Sequence, residues 1–327
     1  MRYIIYGAGG IGSIMGGHLA RTGHEVILIG RPGHVNAINN NGLRLVTPAG
    51  THVLPIPAVT SPSQIDFATG DVIFLCMKGQ DTEPALKELK KVTDDIPVFC
   101  FQNGVRNEEI ATQYFSNIFG VMVVVSAEYL TDGEVIARWD PPGWYIIGRY
   151  PDGTDELTEL VAEELRKAGY LVGTTTDIMP YKWGKLIDNI RNPIGAIASG
   201  NRESTQPIFN SVFEETRGIV QKAGIKWISR QQVFKEWPEF AAALDGELIT
   251  EGGSSLKQSL ARYQGSVEAE FLNGEIVKLA KKLGLQAPIN EKLVEISQEM
   301  ATNHEPPGKY TPVQLSEILE LNNSARG

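Results

Sequence analysis

The pattern of apolar and polar positions divides the chain in two. Through about residue 178, short apolar runs alternate with amphipathic stretches; beyond it the runs stop and apolar residues recur at helical spacing. Residues 3–6 and 25–29 are short apolar runs, 71–78 is a continuous one, as a parallel strand buried on both faces requires, and 97–104 is a further strand-like run that ends in polar residues and glycine. Helical spacing covers 11–22, 81–92 and 154–168, the last capped by Thr154 or Asp155 and stopped by Gly169. Val121–Val125 and Trp144–Ile147 extend the sheet, with a hairpin-like Thr131-Asp132-Gly133 between them, and Tyr170–Thr174 closes it. The remainder predicts helices over roughly 180–199, 206–224, 229–237, 255–284, 288–302 and 312–322. The expectation is a doubly wound α/β domain over 1–178 followed by an all-α domain over 179–327.

The first strand ends in Gly7-Ala8-Gly9-Gly10-Ile11-Gly12, and a helix and a second strand follow within about thirty residues, the length of one dinucleotide-binding βαβ unit. Gly7 permits the tight turn, Gly9 lets a pyrophosphate approach the backbone, and Gly12 lets the helix lie close to the strand. The helix start offers free N–H groups and a positive dipole end. The first domain is thus Rossmann-like. An NAD enzyme usually carries an Asp or Glu after the second strand to accept from the ribose 2′-hydroxyl. Here Ile29-Gly30-Arg31 stands instead, and a guanidinium pairs with a 2′-phosphate that a carboxylate would repel. The expected cofactor is NADP(H); the alternative for Arg31 is a solvated loop arginine.

The totals change this picture little. Hydrophobic residues make up 42% and charged residues 21%, ordinary for a soluble protein. A net charge of −9 argues against nucleic acid or an anionic membrane as the main partner. Cys76 and Cys100 lie in apolar runs and read as core residues, and the five scattered histidines form no metal-binding pair, so no metal is expected. No signal peptide or membrane span is expected, which points to a cytoplasmic protein.

Three further places carry polar residues where chemistry could sit. Lys78 follows the 71–78 run and Asn103 the 97–104 run, at strand ends that face a cofactor crevice; a loop lysine and an Asn-Gly turn are the plain alternatives. Lys185, Asn189 and Asn192 are spaced i, i+4, i+7 and so share one helix face, with Asp188 and Arg191 as the solvated side. A lysine flanked by amides suits polarising and protonating a carbonyl. Ser254, after Gly252-Gly253, is a candidate cap for the long 255–284 helix, on which Glu268 and Glu270 also fall; solvent-facing charges are the plain alternative for both.

In this order and spacing, the chain resembles the ketopantoate reductase (2-dehydropantoate 2-reductase) family over nearly its full length. The resemblance rests on Gly7 to Gly12, Arg31, Lys78, Gln102-Asn103-Gly104, Lys182-Trp183-x-Lys185-Leu186-x-x-Asn189, Ser254-Ser255, and Glu268 before Asn273-Gly274. It implies reduction of a 2-oxo acid by NADPH, most directly ketopantoate to pantoate for pantothenate and coenzyme A synthesis. Lys185 would be the general acid. Glu268 would hold the substrate hydroxyl and orient the lysine, and Asn103 would bridge lysine and cofactor or substrate. Asn189 and Ser255 would grip the substrate, while Arg31 and Lys78 would neutralise the 2′-phosphate. The implied partner is a small 2-oxo acid, and the resemblance leaves room for a homodimer. Two departures stand out: the family's second amide lies at i+8 from the lysine but Asn192 at i+7, and the 255–268 segment is one residue longer. Asn192 therefore receives no role, and another branched 2-oxo acid is an open alternative. A β-hydroxyacid dehydrogenase or a non-catalytic NADP-binding sensor are the rival readings.

Overall fold

The computed structural model describes residues 1–245, 255–261 and 267–321. Two compact units emerge, Met1–Lys182 with the described part of Ser229–Leu248, and Trp183–Ile228 with the described residues after 249.

The first unit is built on twelve strands: β1 (Arg2–Tyr6), β2 (Glu25–Ile29), β3 (Leu43–Thr47), β4 (Gly50–Leu54), β5 (Ala58–Val59), β6 (Asp71–Leu75), β7 (Val98–Cys100), β8 (Ile118–Val125), β9 (Ala127–Glu128), β10 (Glu134–Ala137), β11 (Gly143–Arg149) and β12 (Leu171–Thr174). Eight form one sheet in the order β12-β11-β8-β7-β6-β1-β2-β5. From β5 to β8 every pairing is parallel; β11 runs antiparallel to β8 and carries β12 parallel to itself. Strand order reverses beside β1, which has β2 on one side and β6 on the other, the switch point of a doubly wound sheet. Along β1, Tyr3 and Ile5 enter one apolar core, while Ile4 and Tyr6 enter another on the opposite face. Burial on both faces is what the unbroken apolar runs encode. Phe74, Phe99, Phe101, Phe119 and Tyr145 stack through the first core.

Helices α1 (Gly10–Arg21), α2 (Pro32–Asn41), α3 (Thr82–Leu89), α4 (Asn107–Thr112) and α5 (Glu156–Lys167) connect these strands. A reciprocal capping box between Asp155 and Thr158 opens α5. The other four strands make a second sheet, β4-β3-β10-β9, which the apolar runs did not predict. Its β3–β4 hairpin buries Leu43 and Leu45 and exposes Arg44, a half-buried strand of short period.

The helical segment begins with α6 (Met179–Asn189), α7 (Asn192–Ile197) and α8 (Gln206–Lys222), then α9 (Arg230–Glu236) and α10 (Pro238–Asp245). It continues with α11 (Ser255–Ala261), a 3₁₀ turn at Glu268–Phe271, α12 (Asn273–Lys282), α13 (Pro288–Thr302) and α14 (Pro312–Ile318). The contiguous division at 178/179 is replaced by one inside α6, between Lys182 and Trp183, and α9 and α10 cluster with the first unit. The reason is aromatic: Phe240 and Phe234 pack on Trp144 of β11, and Trp237 packs on Tyr181, whose hydroxyl donates to Glu236 at 2.6 Å.

Candidate active site

The glycine turn occupies the carboxyl end of β1. Gly7 has φ +106°, and a Cβ there would lie 2.4 Å from the Met77 nitrogen, so the turn runs against the end of β6. A Cβ on Gly12 would meet the Gly7 carbonyl oxygen at 2.4 Å and Ile5 at 2.9 Å. Around Gly9, by contrast, a Cβ would find no atom within 4 Å. Gly7 and Gly12 are fixed by contact, whereas Gly9 faces open space at the start of α1. Ala8 is buried and Ile11 half-buried, with Ser13 N–H donating back to the Gly9 carbonyl at 2.9 Å. The N–H groups of Gly10, Ile11 and Gly12 have no intrahelical acceptor by their position. Bare backbone, an open approach and a helix N-terminus together fit a pyrophosphate.

The second sheet contributes to this end of the site. A Cβ on Gly10 would sit 3.2 Å from the Ala127 Cβ and 3.7 Å from that of Tyr129, so β9 and the residue following it lie against the helix start. His34 ties the same region together: it accepts from the Gly133 N–H at 2.8 Å through Nδ1, which leaves Nε2–H to donate to the Ser13 hydroxyl at 3.1 Å. Burial holds the His34 imidazole below its usual pKa, against the opposing influence of Asp132.

Arg31, Lys78 and Asn103 follow the carboxyl ends of β2, β6 and β7, which adjoin β1 in the order β2-β1-β6-β7. Arg31 is exposed and precedes Pro32 at the start of α2. No carboxylate stands between β2 and Arg31. Lys78 is half-buried immediately before a 3₁₀ turn, and half-buried Asn103 lies beyond β7, which is shorter than the 97–104 run suggested. The Asn103 carbonyl accepts from Asn107 Nδ2 at 2.8 Å.

The second unit places the remaining residues. Half-buried Lys185 and buried Asn189 lie one turn apart on α6. Asn192 lies on the next helix. The chain turns at Ile190 and Arg191, and Asn192 begins α7, because Pro193 has no N–H to continue the ladder. Arg191 is not a solvated residue either: its guanidinium lies 3.8 Å over the Phe209 ring and donates to Gln206 at 2.8 Å. Burial, with Arg202 nearby, lowers its pKa to about 10. Glu268 is 5% exposed and opens a 3₁₀ turn, not a position in a continuous 255–284 helix. Ser255 is the first residue of α11; its side chain, like Ser254, lies outside the described residues.

Two positions that matter here were not assigned a role from the sequence. Asn273, fully buried at the start of α12, donates to the Ile190 carbonyl at 3.2 Å and to Asn290 Oδ1 at 2.9 Å. Asn290 in turn donates to Glu215 at 2.8 Å. This network holds the end of α6 that carries Asn189, and its only sequence signal is the Asn273-Gly274 pair. Lys182 is the other: it is buried in the first unit. Among the described residues no cluster of His, Cys, Asp or Glu could hold a metal ion, and no helix is long and apolar enough to cross a membrane.

Comparison with known proteins gives the family. The family model for "Ketopantoate reductase PanE/ApbA" matches residues 3–152, and its C-terminal counterpart matches residues 177–301. The chain is 34% identical to the 2-dehydropantoate 2-reductase of Pyrococcus horikoshii over 298 residues, covering 89% of this chain and 94% of that one. It is 30% identical to the 2-dehydropantoate 2-reductase of Pyrococcus abyssi with the same coverage. Among solved structures, a PanE/ApbA family ketopantoate reductase from Ralstonia eutropha aligns with a TM-score of 0.76 and 29% identity, covering 93% of this chain and 99% of that one. A D-mandelate dehydrogenase in complex with NADH and anilino(oxo)acetate shares the fold, with a TM-score of 0.78, 22% identity and the same coverage. The chain belongs to the ketopantoate reductase family and is an oxidoreductase acting on a CH–OH group.

Proposed function

We propose that this chain reduces a 2-oxo acid to the 2-hydroxy acid with NADPH, and that ketopantoate is its substrate, in the route to pantothenate and coenzyme A. Lys185 carries the reading: a half-buried lysine with a buried amide, Asn189, one helical turn away, in a chain whose other unit leaves Gly9 open to a pyrophosphate. Support for the substrate comes from relatives named 2-dehydropantoate 2-reductase. The nicotinamide, when bound, supplies the hydride. Gly7 to Gly12 cradle the pyrophosphate, and Arg31, with Lys78, neutralises the 2′-phosphate.

On the substrate side, charge grows on the carbonyl oxygen as the carbon is reduced. The Lys185 ammonium faces that charge and passes its proton to the oxygen, so that the hydroxy acid leaves neutral at that position. Asn189 and Ser255 hold the substrate. Glu268 holds its hydroxyl and orients the lysine, and Asn103 bridges lysine and cofactor or substrate. Partial burial around Lys185 excludes water from the developing alkoxide.

The test is NADPH and NADH oxidation measured side by side with ketopantoate and a panel of branched and aromatic 2-oxo acids. The proposal expects ketopantoate with NADPH to give the highest kcat/KM. A preference for NADH would overturn the role of Arg31, and a better 2-oxo acid would overturn the substrate. Absence of turnover with all of them would leave a non-catalytic nucleotide-binding protein.

A further inference from the structure

The first unit seals an ion pair in its interior. The side chains of Lys182 and Glu108 are 2% and 0% exposed and are bonded to each other. The Lys182 ammonium also donates to the Gln102 carbonyl at 3.1 Å and the Val121 carbonyl at 3.2 Å. Its three hydrogens thus have three acceptors, drawn from the end of β7, from β8 and from α4. Burial pushes the Glu108 carboxyl up from its ordinary pKa, with Lys182 opposing that rise.

Such a pair is a poor way to gain stability. Desolvating two charges is costly, and apolar residues of equal volume commonly serve as well. What an ammonium offers that a methyl group cannot is direction, and here the direction is spent on one turn. Gln102 precedes Asn103. Its side chain donates to the Met77 carbonyl at 2.8 Å and to the Thr82 hydroxyl at 2.7 Å. Thr82 donates to Asn107 Oδ1 at 3.0 Å, and Asn107 Nδ2 donates to the Asn103 carbonyl at 2.8 Å. Consecutive peptide carbonyls, of Gln102 and Asn103, are therefore gripped by Lys182 and by Asn107, the neighbour of Glu108. The same network binds the turn to Met77, next to Lys78.

We infer that Lys182 and Glu108 are positioning residues: the pair fixes the Gln102–Asn103 turn, and so the Asn103 side chain, at the nicotinamide end of the cofactor site. This rests on the reductase reading given above. A displacement of about 1 Å in such a group costs on the order of a hundredfold in rate. The adenine end of the cofactor is held by the glycine turn and by Arg31 with Lys78, and the bonds of Lys182 itself, to Gln102, Val121 and Glu108, reach none of these residues.

The experiment compares wild type with Lys182→Met/Glu108→Leu, which removes both charges and keeps the volume. Thermal midpoint, kcat on a 2-oxo acid, and Kd for NADPH and for adenosine 2′,5′-bisphosphate are measured. The inference expects a midpoint within a few degrees of wild type and a bisphosphate Kd within twofold. It expects kcat to fall about ten- to a hundredfold and NADPH Kd to rise severalfold. Unchanged kcat and NADPH Kd in the folded variant would overturn it, as would equal weakening of both ligands, which marks a general loosening. Should the double variant fail to fold, Glu108→Gln decides: it keeps the shape and weakens the hold on Lys182, so a drop in kcat of about threefold or more with unchanged bisphosphate binding upholds the inference, and wild-type kcat overturns it. A wild-type protein without 2-oxo acid turnover would sink the reductase reading instead, and the two binding constants would then judge the pair by themselves.

Discussion

The glycine turn and the Lys185 segment reach their geometry by different routes. In the turn, the backbone is positioned by contacts made within a few residues and against the adjoining strand: Gly7 on Met77, Gly12 on Gly7 and Ile5. Around Lys185 the helix is local, but its end is set from a distance. Asn273 holds the Ile190 carbonyl, and Asn273 is itself held through Asn290 and Glu215. A site made of backbone is written in a short motif. A site held by side-chain networks across 83 residues of chain is not.

Substitutions sharpen this contrast. The largest effect is expected within the turn itself. Gly12→Ala places a methyl 2.4 Å from a carbonyl oxygen, which forces the backbone apart. Cofactor affinity should fall beyond about a hundredfold and stability by roughly 1–3 kcal/mol, read by calorimetry and thermal melts. Gly9→Ala separates the two functions of the motif. With no protein atom within 4 Å of the new methyl, the melt should stay near wild type while cofactor binding weakens about ten- to a hundredfold. If both variants melt alike and bind alike, the turn does not hold the pyrophosphate.

Arg31→Ala comes next. Loss of a charge-assisted contact worth roughly 1.5–3 kcal/mol should raise the KM for NADPH about ten- to a hundredfold and leave that for NADH nearly unchanged. In the helical unit, Asn273→Ala strips the Ile190 carbonyl and Asn290 of a buried donor and should cost roughly 1–3 kcal/mol of stability. Because it loosens the end of α6 but leaves the sheet unit alone, kcat should fall with the cofactor Kd unchanged. A rise in cofactor Kd would contradict the division of labour.

The last effect concerns acid. Buried His18, with Arg21 adding to the burial effect, has its pKa lowered from 6.5 to about 4, and His34 is lowered as well. Both favour the neutral form in the folded state, so the unfolded chain takes up protons first. Stability is complete above about pH 6.5 and falls below it, by up to about 1.4 kcal/mol per pH unit for His18 until the native value near 4 is passed. Both histidines lie in the sheet unit, on α1 and α2. Hydrogen exchange at pH 5 should therefore show α1 and α2 losing protection before α8 and α13, and His18→Gln should flatten the pH dependence.

Legibility in the sequence follows the same division. The βαβ unit, the carboxyl-end placement of Arg31, Lys78 and Asn103, and the helical character after residue 178 were all readable from runs, glycines and spacing. The β3–β4 hairpin was not predicted, although Leu43-Arg44-Leu45 alternates and Pro48-Ala49-Gly50 marks a turn, because one short half-buried strand gives a weak signal. Periodicity carried one helix across 180–199, where Pro193 ends the ladder after Asn189. The i, i+4, i+7 spacing therefore spans two helices. The 229–237 helix reads as helical in either unit; the ring packing of Phe234, Trp237 and Phe240 and the Tyr181–Glu236 bond assign it to the sheet unit. Lys182 and Glu108 are 74 residues apart, and charged residues are seldom buried, so nothing local announces their pairing.

The central claim is that Lys185 donates the proton while the other unit binds the nucleotide without its help. Single-turnover oxidation of bound NADPH, mixed with saturating ketopantoate and compared between wild type and Lys185→Ala, tests it most directly. The variant is expected to react about 10²–10⁴-fold more slowly, with the NADPH Kd within about threefold of wild type. A variant that oxidises NADPH within a few-fold of the wild-type rate would contradict it.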